Sequence, residues 1–197
     1  LPNVWNEKFT DYINNQLELE AAKAFRVHQL VPDKKWWQKK RVELREKIWL
    51  SLGTSVDHEL DLDYRESGSI KMDGYTVKNI TYQSRPGFHV TGNLYIPDGK
   101  GPFPAVINMH GHWAQGRLAE RVQERGHLLA KSGYVCLSVD AFGSGERSSI
   151  HGEFEYHGAN LGASLMNVGE TLMGMQLVDN MRGVDLLCSL KYVDSSR

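Results

Sequence analysis

Two histidines separated by one glycine, His110 and His112, end an apolar run in the stretch VINMHGHWAQGR, residues 106–117. Imidazoles at that spacing after a strand fall on one side of the chain, which suits two-histidine ligation in a metal-dependent hydrolase. Zinc sites take three or four protein ligands, and Ala114 stands where an extended H-x-H-x-D pattern needs a carboxylate. Either imidazole could instead serve as a general base, which requires a nucleophile or activated water and an orienting acid. A third chemistry belongs to the backbone. A tight turn through Gly111 after a buried strand can leave a peptide N–H facing open space, a donor for an anionic tetrahedral intermediate.

A second polar cluster, DAFGSGERS, occupies residues 140–148. Its GSGERS nearly spells G-x-G-x-x-G, but the sixth position is Ser148, no helical pattern opens there, and no acidic residue ends a following strand about 20 residues on, so a dinucleotide site is not expected. Ser144 is flanked by Phe142 and Glu146, and Ser164 sits in GASLM, so neither lies in the G-x-S-x-G of a nucleophile elbow. His151 and His157 read as rim residues of a long loop. Cys136 and Cys188 lie in apolar contexts and read as buried thiols.

The elements that must position these residues follow from periodicity. Phe9, Ile13, Leu17, Ala21 and Ala24 predict an amphipathic helix within residues 4–30, ended near Pro32. A second helix is expected from an Asp33 cap to Gly53, with Trp37, Leu44, Ile48 and Leu52 on one stripe. Residues 54–69 are acidic and aperiodic, a connector. YTVKNITYQS and FHVTGNLYIP, joined through RPG, predict an antiparallel hairpin. AVINM is an apolar run of the kind a strand buried on both faces shows. A helix follows with Leu118, Val122 and Leu129 inward and a stop at Gly133; YVCLSVD then completes a right-handed βαβ unit. Residues 141–169 form an excursion flanking the site, and a helix spans about 171–190 with Met175, Val178 and Met181 in the core. KYVDSSR reads as the lead-in to another strand. The organisation is a helical extension (1–55), a connector (56–74) and an α/β domain (75–197).

Lys and Arg total 23 against 24 Asp and Glu, a formal charge of −1, which points to no nucleic acid or anionic membrane partner. No run approaches the roughly 18 apolar residues of a membrane span. The compartment is left open, with a secreted or periplasmic setting favoured over the cytoplasm.

In order and spacing, the hairpin into PAVINMHGHWAQGR, the helix after it, GYVCLSVDAFGSGERS and the helix carrying DNMRGVDLLCSLKYVDSSR resemble the first half of an α/β-hydrolase, closest to the acetyl xylan esterase and dienelactone hydrolase group. The resemblance covers about residues 75–197 and implies a partial α/β-hydrolase fold. It makes the His112 backbone N–H the oxyanion donor, with Gly111 permitting the turn, and His110 and Trp113 lining the pocket. Asp140, Gly143, Gly145 and Ser148 match the turn that shapes the site floor, and Ser144 is placed in the pocket with Asp140, Gly143 and Gly145. Arg182 and Asp185 match a structural R..D pair. It implies a serine carboxylesterase acting on carbohydrate or small esters, with no cofactor. The nucleophile, acid and base are expected beyond Arg197, so this chain alone is expected to be inactive and to need its missing carboxy-terminal half. A metal-dependent hydrolase on His110 and His112, or a non-catalytic binding module on the same sheet, are the alternatives.

Overall fold

The computed structural model describes residues 11–26, 32–111, 113–148 and 161–197. The chain divides into two compact units, 1–46 and 47–197. In the first, helix α1 (Tyr12–Arg26) buries none of its residues, so Ile13 and Leu17 are exposed. Helix α2 (Lys34–Leu52) begins where Asp33 predicts, its carboxylate accepting the Trp36 N–H at 2.8 Å, which satisfies one of the donors a helix start leaves without a partner. It stops at Gly53, which adopts φ 66°. The unit boundary falls inside α2 rather than at residue 55. Leu52 belongs to the second unit: it is buried, and its carbonyl accepts the Thr171 hydroxyl at 3.0 Å. Trp37 and Ile48, placed on a buried stripe by the sequence, are exposed.

The second unit is built on a five-stranded sheet of β1 (Arg65–Met72), β2 (Tyr75–Arg85), β3 (Phe88–Pro97), β4 (Ala105–Asn108) and β5 (Val135–Val139), in the order β1-β2-β3-β5-β4. The predicted hairpin is β2–β3, and the predicted parallel unit is β4 and β5 joined through helix α3 (Glu120–Lys131). The two halves meet antiparallel, Leu94 of β3 opposite Leu137 of β5. Strand β1 lies inside the stretch expected to be a connector. All eight of its residues are exposed, so neither side of the strand is buried and no two-residue alternation of burial marks it in the sequence.

Strand β5 is buried along its whole length. Val135, Leu137 and Val139 pack with Tyr82, Leu94 and the Leu186–Leu187 pair of helix α5 (Leu172–Ser189). Cys136 turns to the other face, with Tyr95 and Ala130 of α3. A strand covered on both faces has no polar side, which is why it reads as a continuous apolar run. Truncating Leu137 to Ala is worth about 2–5 kcal/mol of stability. Thr171 caps α5, its hydroxyl accepting from the Gly174 N–H at 3.0 Å. Met175 and Val178 are buried as predicted and Met181 is half-buried. Leu118 is exposed, because it closes the short 3-10 turn Gly116–Leu118 ahead of α3 instead of lying in the helix. The final segment runs beside the start of β4, Val193 bridging Phe103 in parallel and Ala105 N–H donating to the Arg197 carbonyl at 3.1 Å. Among the described residues no helix is long and apolar enough to cross a membrane.

The two cysteines differ, against the expectation that both are buried. Cys136 is fully buried and Cys188 is exposed. Each residue along a helix turns by about 100°, so the step from Leu187 carries Cys188 off the face that Leu186 and Leu187 bury. Burial pushes the Cys136 thiol from 9.0 up to about 11. Because this value is raised on folding, the stability linked to it is fully present below about pH 9 and is lost as the pH rises through about 11. A disulfide reagent is therefore expected to label Cys188 at once at pH 8 and Cys136 only on unfolding, which a time course of thiol release measures. Rapid release of two thiols from the folded chain would contradict this packing.

Candidate functional site

The loops after β4 and β5 leave the sheet at the carboxyl ends of neighbouring parallel strands, where α/β proteins gather polar groups. They are joined by one carboxylate. Asp140, fully buried, accepts from the Thr91 hydroxyl (2.7 Å), the Arg117 N–H (2.8 Å) and the Glu146 N–H (3.3 Å), and is ion-paired with the Arg117 guanidinium. Arg117 also donates from Nε to Asn93 Oδ1 at 2.8 Å and from Nη2 to Glu146 at 2.5 Å. Two glycines make room for this carboxylate. Gly116 and Gly145 both take φ 57°, and a Cβ on either would overlap Asp140 Oδ1.

His110 ties the same two loops by a second route. Its Nε2 accepts the Ala141 N–H at 3.0 Å, so the proton sits on Nδ1, which donates to the Gly111 carbonyl at 2.7 Å. Both ring nitrogens are thereby engaged with backbone groups. The Gly111 carbonyl also accepts the Trp113 N–H at 2.9 Å. His112 lies outside the described residues, as do His151 and His157. Gly111 is not at a positive φ, and a Cβ there would meet only Trp113 Nε1 at an ordinary 3.7 Å. Among the described residues of these two loops, Asp140 demands glycine at 116 and 145, and nothing does so at 111.

The other anticipated residues divide in two. His110 and Asp140, with Ala141, Asp179 and Asn180, border a small cavity of about 70 Å³. Trp113 borders a larger cleft of about 310 Å³ with Gln115, Leu118, Ala119, Glu120 and Arg121. Gly143, Ser144 and Gly145 are buried beneath, and the Ser144 hydroxyl donates to the Trp113 carbonyl at 3.2 Å. That makes Ser144 a third tie between the loops. Ser164 lies within helix α4 (Leu161–Asn167).

Arg117, Arg147 and Asp179 were not singled out by the sequence. Arg147 pairs with Asp179 at 2.6 Å and lies over the Phe142 ring at 5.2 Å, while Asp179 also accepts the Ser84 hydroxyl at 2.5 Å. Burial, and next the Asp179 charge, push the Tyr82 hydroxyl up; it donates to the Asp179 carbonyl at 2.8 Å. Arg182, paired with Asp185 at 2.6 Å, donates to the carbonyls of His58 (2.9 Å) and Leu60, pinning that segment to α5. The Arg182–Asp185 pair has a helical i,i+3 spacing, whereas no spacing marks the pairing of Arg117 with Asp140 or of Arg147 with Asp179, whose members come from different elements.

The fold is that of part of an α/β-hydrolase, and solved structures similar to this chain are esterases. A Bacteroides fragilis protein assigned as an acetyl xylan esterase superposes with TM-score 0.70 at 16% identity, over 97% of this chain and 54% of its own. A methylesterase gives 0.66 at 27% identity, over 95% and 39%. A glucuronoyl esterase from Teredinibacter turnerae gives 0.54 at 14% identity, over 86% and 46%. The chain thus spans about half the length of these proteins or less. No family model matches it.

Removing one partner of a buried ion pair destabilises by about 3–5 kcal/mol, because the other charge stays buried and unpaired. Asp140→Ala is therefore expected to lower unfolding free energy by about that amount, and Gly116→Ala by at least about 1 kcal/mol through strain at positive φ, both read by urea denaturation. Pairing Asp140→Ala with Arg117→Met should recover part of the loss. Additive losses in the double variant would show that the two residues do not act as a pair.

Proposed function

We propose that this chain is the amino-terminal part of a serine esterase that deacylates carbohydrate or small-molecule esters, xylan-type acetyl esters among them. The observation that carries the reading is the held carbonyl of Gly111 at the carboxyl end of β4, fixed by His110 Nδ1–H and the Trp113 N–H. The peptide N–H that follows this carbonyl in the sequence is assigned as one donor of an oxyanion hole. The esterase activity named for the similar structures, one of them 27% identical over 95% of this chain, supports the same reading. A secreted or periplasmic setting accords with a polymeric substrate.

In this mechanism a serine, activated by a histidine that an acid orients, attacks the ester carbonyl, and the alcohol leaves as the acyl-enzyme forms; water then releases the acid. The N–H after Gly111 and the N–H following the serine hold the tetrahedral oxyanion. The sequence contains no G-x-S-x-G, so the nucleophile and its partners are assigned outside residues 1–197. His110 is a positioning residue: it acts through the peptide it holds.

The reading frame extended into a G-x-S-x-G is expected to hydrolyse an aryl acetate and to be stopped by a serine-directed phosphonate, whereas residues 1–197 alone do neither. Losing one oxyanion donor lowers kcat by about 10²–10³. His112→Ala keeps its backbone N–H and should lower kcat far less, while His110→Ala should lower kcat toward that range with KM little changed. Near-total loss on His112→Ala would assign the role to its side chain, and phosphonate-sensitive hydrolysis by residues 1–197 alone would overturn the assignment of the triad.

A further inference from the structure

The cleft of about 310 Å³ beside the turn has a wall chemistry that the ester-cleaving machinery does not use. Trp113 is 39% exposed there, and the Arg121 guanidinium lies 5.9 Å from the centre of its ring. Arg117 and Arg147 are each committed to buried carboxylates. Among the described residues the Arg121 guanidinium pairs with no carboxylate, its contact being the indole. Glu120 also borders the cleft, but it opens helix α3, where the positive end of the helix dipole favours a carboxylate. An aromatic surface and an uncommitted planar cation therefore stand together at one opening, whose volume lies at the small end of the roughly 300–1,000 Å³ of ligand sites.

Those two groups select a ligand. A pyranose presents C–H groups that an indole can cover, and a guanidinium binds a carboxylate through two parallel hydrogen bonds. We propose that this cleft is a subsite for an acidic sugar, taking the free carboxylate of a uronic acid unit that neighbours the ester-bearing unit of a carbohydrate chain. Its place in catalysis rests on the esterase reading; the binding itself does not. Trp113 adjoins the turn, so a sugar seated on it would hold the adjoining unit beside the oxyanion donor.

Calorimetric titration of the extended reading frame with sodium glucuronate is expected to give saturable binding in about the millimolar range, at least about tenfold tighter than glucose. Acetate, which has the charge without the ring, should bind no better than glucose. Arg121→Gln should reduce glucuronate to the glucose level, Arg121→Lys should keep part of the preference, and Trp113→Ala should weaken both sugars, with unfolding midpoints checked for each variant. In the unsubstituted chain, raising sodium chloride from roughly 0.05 to 0.5 M should weaken glucuronate and not glucose, since screening acts only on the charged ligand. Equal binding of glucuronate and glucose, acetate binding as tightly as glucuronate, no binding at all, or a preference that survives Arg121→Gln in a folded variant would each overturn the subsite. Aryl acetate hydrolysis by the extended reading frame is read separately, so a failed esterase reading and a failed subsite are distinguishable.

Discussion

A carboxylate buried without partners is costly enough to unfold its surroundings. Asp140 avoids this because donors converge on it from three places: Thr91 on β3, Arg117 before α3, and Glu146 in the loop after β5. The guanidinium of Arg117 supplies the opposing charge and is itself held by Asn93 and Glu146. Taking away any donor leaves part of that charge less well compensated in a low-dielectric interior. Two loops that would otherwise be independent are bound into one body.

That constraint has a consequence for chemistry. Stabilising a developing negative charge works best when the donors need not move at the moment of reaction. Here the turn after β4 is anchored below by Arg117 on Asp140, at its front by His110 reaching the Ala141 N–H, and beneath Trp113 by the Ser144 hydroxyl. The ties are rigid hydrogen bonds to backbone, and they come from side chains that the bare sequence invites one to read as ligands or nucleophiles. Polar residues close to a site are often there to hold its backbone.

The periodic elements were legible in the sequence: the Asp33-capped helix, the β2–β3 hairpin, the parallel unit through α3, and the Thr171-capped helix with Met175 and Val178 inside. Strand β2 shows burial that alternates every two residues, the buried strand β5 a continuous apolar run, and the first of these helices its Asp33 cap. Strand β1 was not legible, for it is exposed on both sides and its backbone order comes from pairing with β2. Cys188 was misread because apolar neighbours in sequence are not neighbours around a helix. Gly111 attracted the role of turn-former by its place between two histidines, whereas the backbone demands glycine at 116 and 145, where Asp140 fills the space a side chain would need.

By itself the sequence determined the local elements, their order and the resemblance to an esterase half, because periodicity, caps and turn residues act over a few positions. Only the tertiary structure decided that β3 lies against β5, that both ring nitrogens of His110 meet backbone groups, and that Arg117 and Asp140 form a buried ion pair. Those outcomes depend on which distant donors meet which acceptors once water is excluded. Residues 93, 117 and 140 carry no common spacing until the sheet brings their side chains within hydrogen-bonding distance.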